Sequence, residues 1–259
     1  SRANDRFLQT ARLVAAELDA YVASGAQRLQ TVARLPGLAY GLQTIQEAGG
    51  GGYIPPWTTL HYLFFKSPLF TGGVFLLDRV GKVLWTEPPG LPWLGQTLTE
   101  LAPVAEMYRT RQNVISGVLG ADRLMAQPHV VIGVPIQNDN GELQGILAGV
   151  INLATSDFDD ILRAVSTTGG WFVEVLDQNG VVLAGTNSAR LFQRVDSFPT
   201  NGEAPMLAAT ALQHAPWRIV AGQPPSLGLA TVWQFQRALL GLGIALLVVA
   251  AAVATPILN

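Results

Sequence analysis

Apolar and small residues fall at Phe7, Ala11, Val14, Leu18, Tyr21 and Gly25, then at Val32 and Leu35, in steps of four and three. That spacing predicts a long helix with one apolar seam. Arg28 interrupts the seam, and Pro36-Gly37 marks its end. A seam of this kind serves either a helix packed on its own domain or a parallel dimer stalk. Gly49 to Gly52 and then Pro55-Pro56 form a break; without a following Gly-Lys-Ser/Thr it is a loop, not a phosphate cradle. Beyond it the period changes from helical to strand-like. Gly73 to Asp78 and Lys82 to Thr86 are apolar runs joined by a short turn, and Leu98 to Gln112 reads as helical. His129 to Ile136 and Leu143 to Leu153 flank Asn138 to Gly141, a hairpin whose Asn-Gly pair supplies positive φ angles.

The strand pattern then recurs. Trp171 to Asp177 passes through Gln178-Asn179-Gly180 into Val181 to Ala184. Aligned on Asp78 and Asp177, both copies read apolar run, Asp, two residues, Gly, apolar run. So long a period indicates two related domains in series, not a solenoid. Trp217 to Ala221 closes the second copy as a further strand. Ser156 to Val165 reads as a helix between the copies, with Ser156 or Asp157 at its cap and Phe158, Ile161, Leu162 and Val165 on one face.

The chain ends differently. Ala238 to Ala254 carries no charged side chain, and with Ile257-Leu258 it reaches the roughly 20 residues that cross a bilayer. Trp233, Phe235 and Arg237 stand at its edge as interfacial anchors. This predicts a transmembrane helix. Ser1 to Arg6 opens inside a helical pattern with no secretory signal, as in a fragment of a longer protein.

Composition sharpens the picture. Of 259 residues 49% are hydrophobic and only 13% charged, and part of that apolar excess belongs to the terminal stretch. A net charge of −2 gives nucleic acid no basic face. Zero cysteines exclude disulfides, thiolate catalysis and cysteine-ligated metal. His61 and His214 are isolated, and no histidine pair shows metal-ligand spacing. Neither a nucleophile elbow nor a zinc-protease signature is present, and Asp159-Asp160 point different ways on a helix. No cofactor and no catalytic residue is predicted.

The two Asp-x-x-Gly turns at Asp78 to Gly81 and Asp177 to Gly180, with the Val130 to Leu153 segment, resemble the double Cache sensor family. The order helix, module, module, membrane helix strengthens the likeness. The resemblance implies an α+β fold: a long helix over 1–36, a membrane-distal PAS-like module over 37–155 and a proximal one over 156–224. Residues 225–259 would form the juxtamembrane and transmembrane helix. It further implies a homodimeric, periplasmic sensor region in the inner membrane of a bacterium, with a histidine kinase, diguanylate cyclase or chemoreceptor as output. This region itself would not be an enzyme. The ligand would be a small molecule, a carboxylate or amino acid, held in the distal module by the segment from Trp85 to His129. Tyr108, Arg109 and Arg111 lie together there: an arginine can clamp a carboxylate, and an aromatic ring can cover the rest of the ligand. Trp85, Trp93 and His129 are pocket or core, and Asp157 is a helix cap or the acceptor of a ligand ammonium. A module that docks a periplasmic protein partner is the alternative, and a membrane-anchored envelope enzyme a more distant one.

Overall fold

The protein is described from a computed structural model over residues 2–47, 57–165, 172–195 and 207–222. Helix α1 (Arg2–Ala33) has 32 residues, a length of about 48 Å at 1.5 Å per residue. Its predicted seam is buried: Phe7, Ala11, Val14, Leu18, Val22, Leu29 and Val32 all face inward, while Arg6, Gln9, Arg12 and Glu17 face solvent. The seam therefore belongs to the protein's own core. Each large aliphatic residue so buried contributes roughly 1.5–3 kcal/mol. Gly25 on this face lets Leu69 and Phe70 approach, since a Cβ there would lie 2.2 Å from Leu69 Cδ2. Pro36 does not only end α1. It opens a second helix, α2 (Pro36–Glu47), because proline suits the first helical turn, where its missing N–H costs nothing. A third helix, α3 (Trp57–Phe65), follows.

The first sheet contains β1 (Gly73–Asp78), β2 (Val83–Glu87), β3 (Val114–Ile115), β4 (His129–Gln137) and β5 (Leu143–Asn152) in the order β2-β1-β5-β4-β3. Every pairing is antiparallel. Helix α4 (Ala102–Thr110) precedes β3, and it is shorter than the pattern predicts because Pro103 seats its first turn. In the β4–β5 hairpin Gly141 takes a positive φ of 77°, whereas Asn140 does not. The Asn138 side chain instead accepts from the backbone of Asn140 and Glu142.

After α5 (Phe158–Val165) comes a second sheet of β6 (Phe172–Leu176), β7 (Val182–Gly185), β8 (Leu207–Ala211) and β9 (Arg218–Gly222), ordered β7-β6-β9-β8. Without β3 the two sheets have the same strand order. Their first turns match in detail. Asp78 Oδ1 accepts from the N–H of Val80 and Lys82, each at 2.9 Å. Asp177 Oδ1 accepts from Asn179 and Val181, each at 2.8 Å. Gly81 and Gly180 close the turns at φ 86° and 78°, where a side chain would be strained. The repeat read from the sequence is thus a repeat of structure.

One apolar core joins α1, α2 and α5 to the inner faces of both sheets. A second core fills the outer face of the first sheet, under α4 and the loops around it. The predicted membrane stretch Ala238 to Ala254 lies outside the described residues. Among the described residues no helix is long and apolar enough to cross a membrane.

Candidate functional site

Strand alternation sends successive residues of the first sheet to opposite faces. Val130, Ile132 and Val134 join the core under α1, while Val131, Ile146, Ala148 and Val150 face the loops between β2 and β4. Those loops and α4 act as a lid. The space beneath it is filled by the protein itself. Trp93, Leu98, Val104, Met107 and Leu124 pack onto Phe75, Val131 and Ile146. The Trp93 indole meets the Phe75 ring edge-on at 5.5 Å and donates to the Leu124 carbonyl at 2.6 Å. Met107 occupies the hollow left by Gly133, where a Cβ would sit 2.3 Å from Met107 Sδ.

The six residues singled out in the sequence do not converge. Trp85 points to the other face of the sheet and is buried in the core shared with α1. Tyr108 packs under the lid and donates its hydroxyl to the Asp78 carbonyl, tying α4 to the β1–β2 turn. Burial first, then the Asp78 charge, raises the Tyr108 phenol pKa well above its ordinary value, so the group remains a donor. Arg109 is exposed and lies 3.9 Å from Glu106 on its own helix. Arg111 sits just past the end of α4 with φ 56° and borders a separate cavity between α1 and the sheet edge. His129 is fully buried; its Nδ1 is 2.9 Å from the Gln127 carbonyl, and its Nε2 is 3.3 Å from Asp122 Oδ2. Asp157 does not cap α5 with its side chain. It accepts from the Tyr21 hydroxyl at 3.1 Å, and burial, then the Asp157 charge, pushes the Tyr21 pKa up to about 12.

Other residues carry the structural burden, and they lie where the two sheets meet. Asp177 is 1% exposed. Beyond closing its own turn, its Oδ2 accepts from the Val118 N–H at 2.9 Å. The Trp217 indole donates to the Ser116 carbonyl at 3.0 Å, and the Ser116 hydroxyl accepts from the Val131 N–H at 2.9 Å. The strip Ser116–Gly117–Val118, where the lid resumes after β3, is therefore held by two turns of the second sheet. Gly117 permits the contact. A Cβ at this position would lie 2.4 Å from Asp177 Oδ2, so Gly117→Ala is expected to cost about 1–2 kcal/mol in urea unfolding by forcing apart groups that have no room to relax.

Asp19 fastens α1 to the same end of the second sheet. It accepts from the backbone of Gln213 and His214 at 3.0 and 2.8 Å, and lies 2.6 Å from His214 Nδ1. Burial pushes the Asp19 pKa upward, but these bonds outweigh it and hold the carboxyl below its ordinary range. The sequence signals for these residues are weak. Asp19 is one acid beside an apolar seam, and Asp177 reads as a turn residue only.

Comparison with known proteins places this architecture. No protein-family model matches the chain, and no curated protein does. Solved structures do match. The ligand-binding domain of the Pseudomonas fluorescens chemoreceptor CtaA, in complex with L-isoleucine, superposes with a TM-score of 0.62 at 13% identity, covering 89% of this chain and 95% of that one. The sensor domain of the V. cholerae histidine kinase DctB gives 0.57 at 12%, covering 85% and 96%. An extracellular ligand binding receptor from Desulfohalobium retbaense gives 0.62 at 14% over 84% of this chain, which spans only 40% of that receptor. The chain has the double Cache fold. With identities this low, the likeness is one of fold, and its six predicted residues carry no assignment from these relatives.

Proposed function

We propose that this double Cache region is the extracytoplasmic sensor of a bacterial transmembrane receptor. On this reading 37–155 is the membrane-distal module, 156–224 the proximal one, and 225–259 leads into and across the inner membrane. It works as a homodimer feeding a kinase, cyclase or chemoreceptor output. The observation that carries the reading is the junction at Ser116 to Val118. A chain that only displayed two modules would need no buried carboxylate spanning them. Here Asp177 and Trp217 grip the strip where the lid meets the first sheet, so a shift of the lid is passed to the second sheet, and from there to whatever follows β9. A ligand drives such a shift only by the difference of its affinity for the two arrangements.

The fold relative bound to L-isoleucine supports a small metabolite with a carboxylate as the signal. The direct test is thermal denaturation of the purified 259-residue chain against a library of amino acids, organic acids and other small metabolites. A rise in Tm of several degrees with one chemical class is expected. A library that leaves Tm unchanged would defeat the reading.

One observation favours a second reading. The lid face is occupied by Trp93, Met107 and Leu124, and α3 exposes Tyr62 and Phe65. A filled face beside exposed aromatics suits a module that docks a protein. An unchanged Tm across the library, with the Leu124 and Trp93 contact still protected from hydrogen exchange, would select this alternative.

A further inference from the structure

We propose that the open edge of the first sheet is a binding site for a small anion, a carboxylate or a phosphate, held between Arg34 and Arg111. The site is separate from the lid face. Strand β3 covers β4 only at Gly133 and Ile132, so from Val134 onward the outer edge of β4 has no strand beside it among the described residues. The end of α1 and the end of α4 flank this bare edge and enclose a cavity of about 420 Å³, within the range of small-ligand sites. Arg34 enters it from just beyond α1, where its N–H still bonds the Gln30 carbonyl at 3.1 Å. Arg111 enters from just beyond α4, its N–H bonding the Met107 carbonyl at 2.9 Å.

Charge points to an anion. Neither guanidinium forms an ion pair with a described residue, although Arg109, Arg123, Arg163 and Arg190 all do. Gln30 and Asn113 add side-chain amides, and Asp139 is the one carboxylate in the wall among the described residues. Two guanidinium groups thus stand against one carboxylate in the wall. Guanidinium forks bind carboxylate and phosphate oxygens with paired hydrogen bonds.

Backbone conformation adds an independent argument. Arg111 has φ 56°, at the position after a helix where glycine is the common choice. Left-handed backbone costs a side-chain-bearing residue roughly 1–2 kcal/mol. A cation near a helix C-terminus regains only about 0.3–1 kcal/mol from the dipole. Stability alone thus leaves Arg111 with a net cost, and strain retained in this way marks functional positions. A neighbouring cavity of about 640 Å³ shares Gln30 and Asn113 and extends past Ile115 to Pro216 and His214 of the second sheet. It gives the uncharged part of a longer ligand room to run toward the junction at Ser116.

This site deepens the sensor reading, and its signalling consequence rests on that reading; anion binding itself does not. The experiment uses the full chain with sodium phosphate and with sodium succinate, each against sodium chloride at equal ionic strength, read by Tm and by calorimetric titration. At 10 mM at least one probe is expected to raise Tm by about 2 °C or more, the size of a linkage effect well above Kd. Whichever probe acts assigns the class, phosphate or carboxylate. Arg34→Gln and Arg111→Gly are each expected to abolish the shift. Arg111→Gly is the telling variant, because glycine relieves the positive φ: it should melt no lower than the parent without anion, yet lose the response. A parent that responds to neither probe, or a response that survives both substitutions, overturns the site. If the site fails while the metabolite library still yields a ligand, the sensor reading stands and the ligand binds elsewhere.

Discussion

Asp177→Ala is expected to destabilise the protein by about 3–5 kcal/mol, several times the effect of an average substitution. One carboxylate oxygen accepts from Asn179 and Val181 and the other from Val118, all at 2.8–2.9 Å. Hydrogen bonds to a charged acceptor are worth about 1.5–3 kcal/mol each, and an abandoned donor pays its full desolvation where no water reaches it. Asp177 is buried, so solvent does little to compensate. Its twin supplies the control. Asp78 makes the same two bonds within its own turn but no third bond to the other sheet. Asp78→Ala is therefore expected to cost about 1.5–3 kcal/mol less, the worth of one such bond. Urea unfolding of the two variants measures the difference, which belongs to the bond between sheets. Hydrogen exchange at the Val118 amide should accelerate in Asp177→Ala and remain slow in Asp78→Ala. Equal losses in both variants, with Val118 still protected, would show that the carboxylate serves its turn alone.

That twin relationship is legible in the sequence, because a positive φ at Gly81 and Gly180 and an acid three residues earlier are local requirements. The helical seam was legible for a similar reason: burial against two sheets imposes a periodicity on α1 along its whole length. Other elements left no such mark. Strand β8, Leu-Ala-Ala-Thr-Ala over 207–211, is too poor in large side chains to show alternation, and β3 is only two residues long. The site residues were least legible. Tyr108 and Arg109 are neighbours in sequence, but a helix turns about 100° per residue, which sends Tyr108 under the lid and Arg109 into solvent. That Trp93, Met107 and Leu124 together fill the space below the lid depends on three distant segments meeting. Arg34 leaves no mark in the sequence, because what sets it apart is a cavity it shares with Arg111, almost 80 residues further along the chain.

Glu174→Gln is expected to remove a stabilisation that the parent gains on acidification, so that the variant's stability relative to the parent's rises with pH. Glu174 is a single acid inside the apolar run of β6, and it is fully buried on the face of the second sheet away from α1. Arg190 Nε lies 3.0 Å from its Oε1, but neither carboxylate oxygen has a hydrogen bond. Burial raises its pKa, and the opposing pull of Arg190 only reduces the rise. The sign follows from linkage. A carboxyl whose pKa is higher in the folded state holds more protons there than in the unfolded chain, so stability falls as pH rises through the folded pKa. The contribution is complete below the ordinary glutamate range and lost toward neutral and alkaline pH. Asp19 works the other way: its lowered pKa gives stability that is lost only when acid takes the pH below the ordinary aspartate range. Between pH 5 and pH 8 Asp19 therefore contributes no slope, and subtracting the Glu174→Gln profile from the parent isolates Glu174. Urea midpoints at half-unit steps across that window give the comparison. Parent and variant running parallel from pH 5 to pH 8 would mean that Glu174 is satisfied as an anion. A gap that opens with rising pH would identify a buried acid that makes the second module, the one nearer the proposed membrane helix, tighter when protons are abundant.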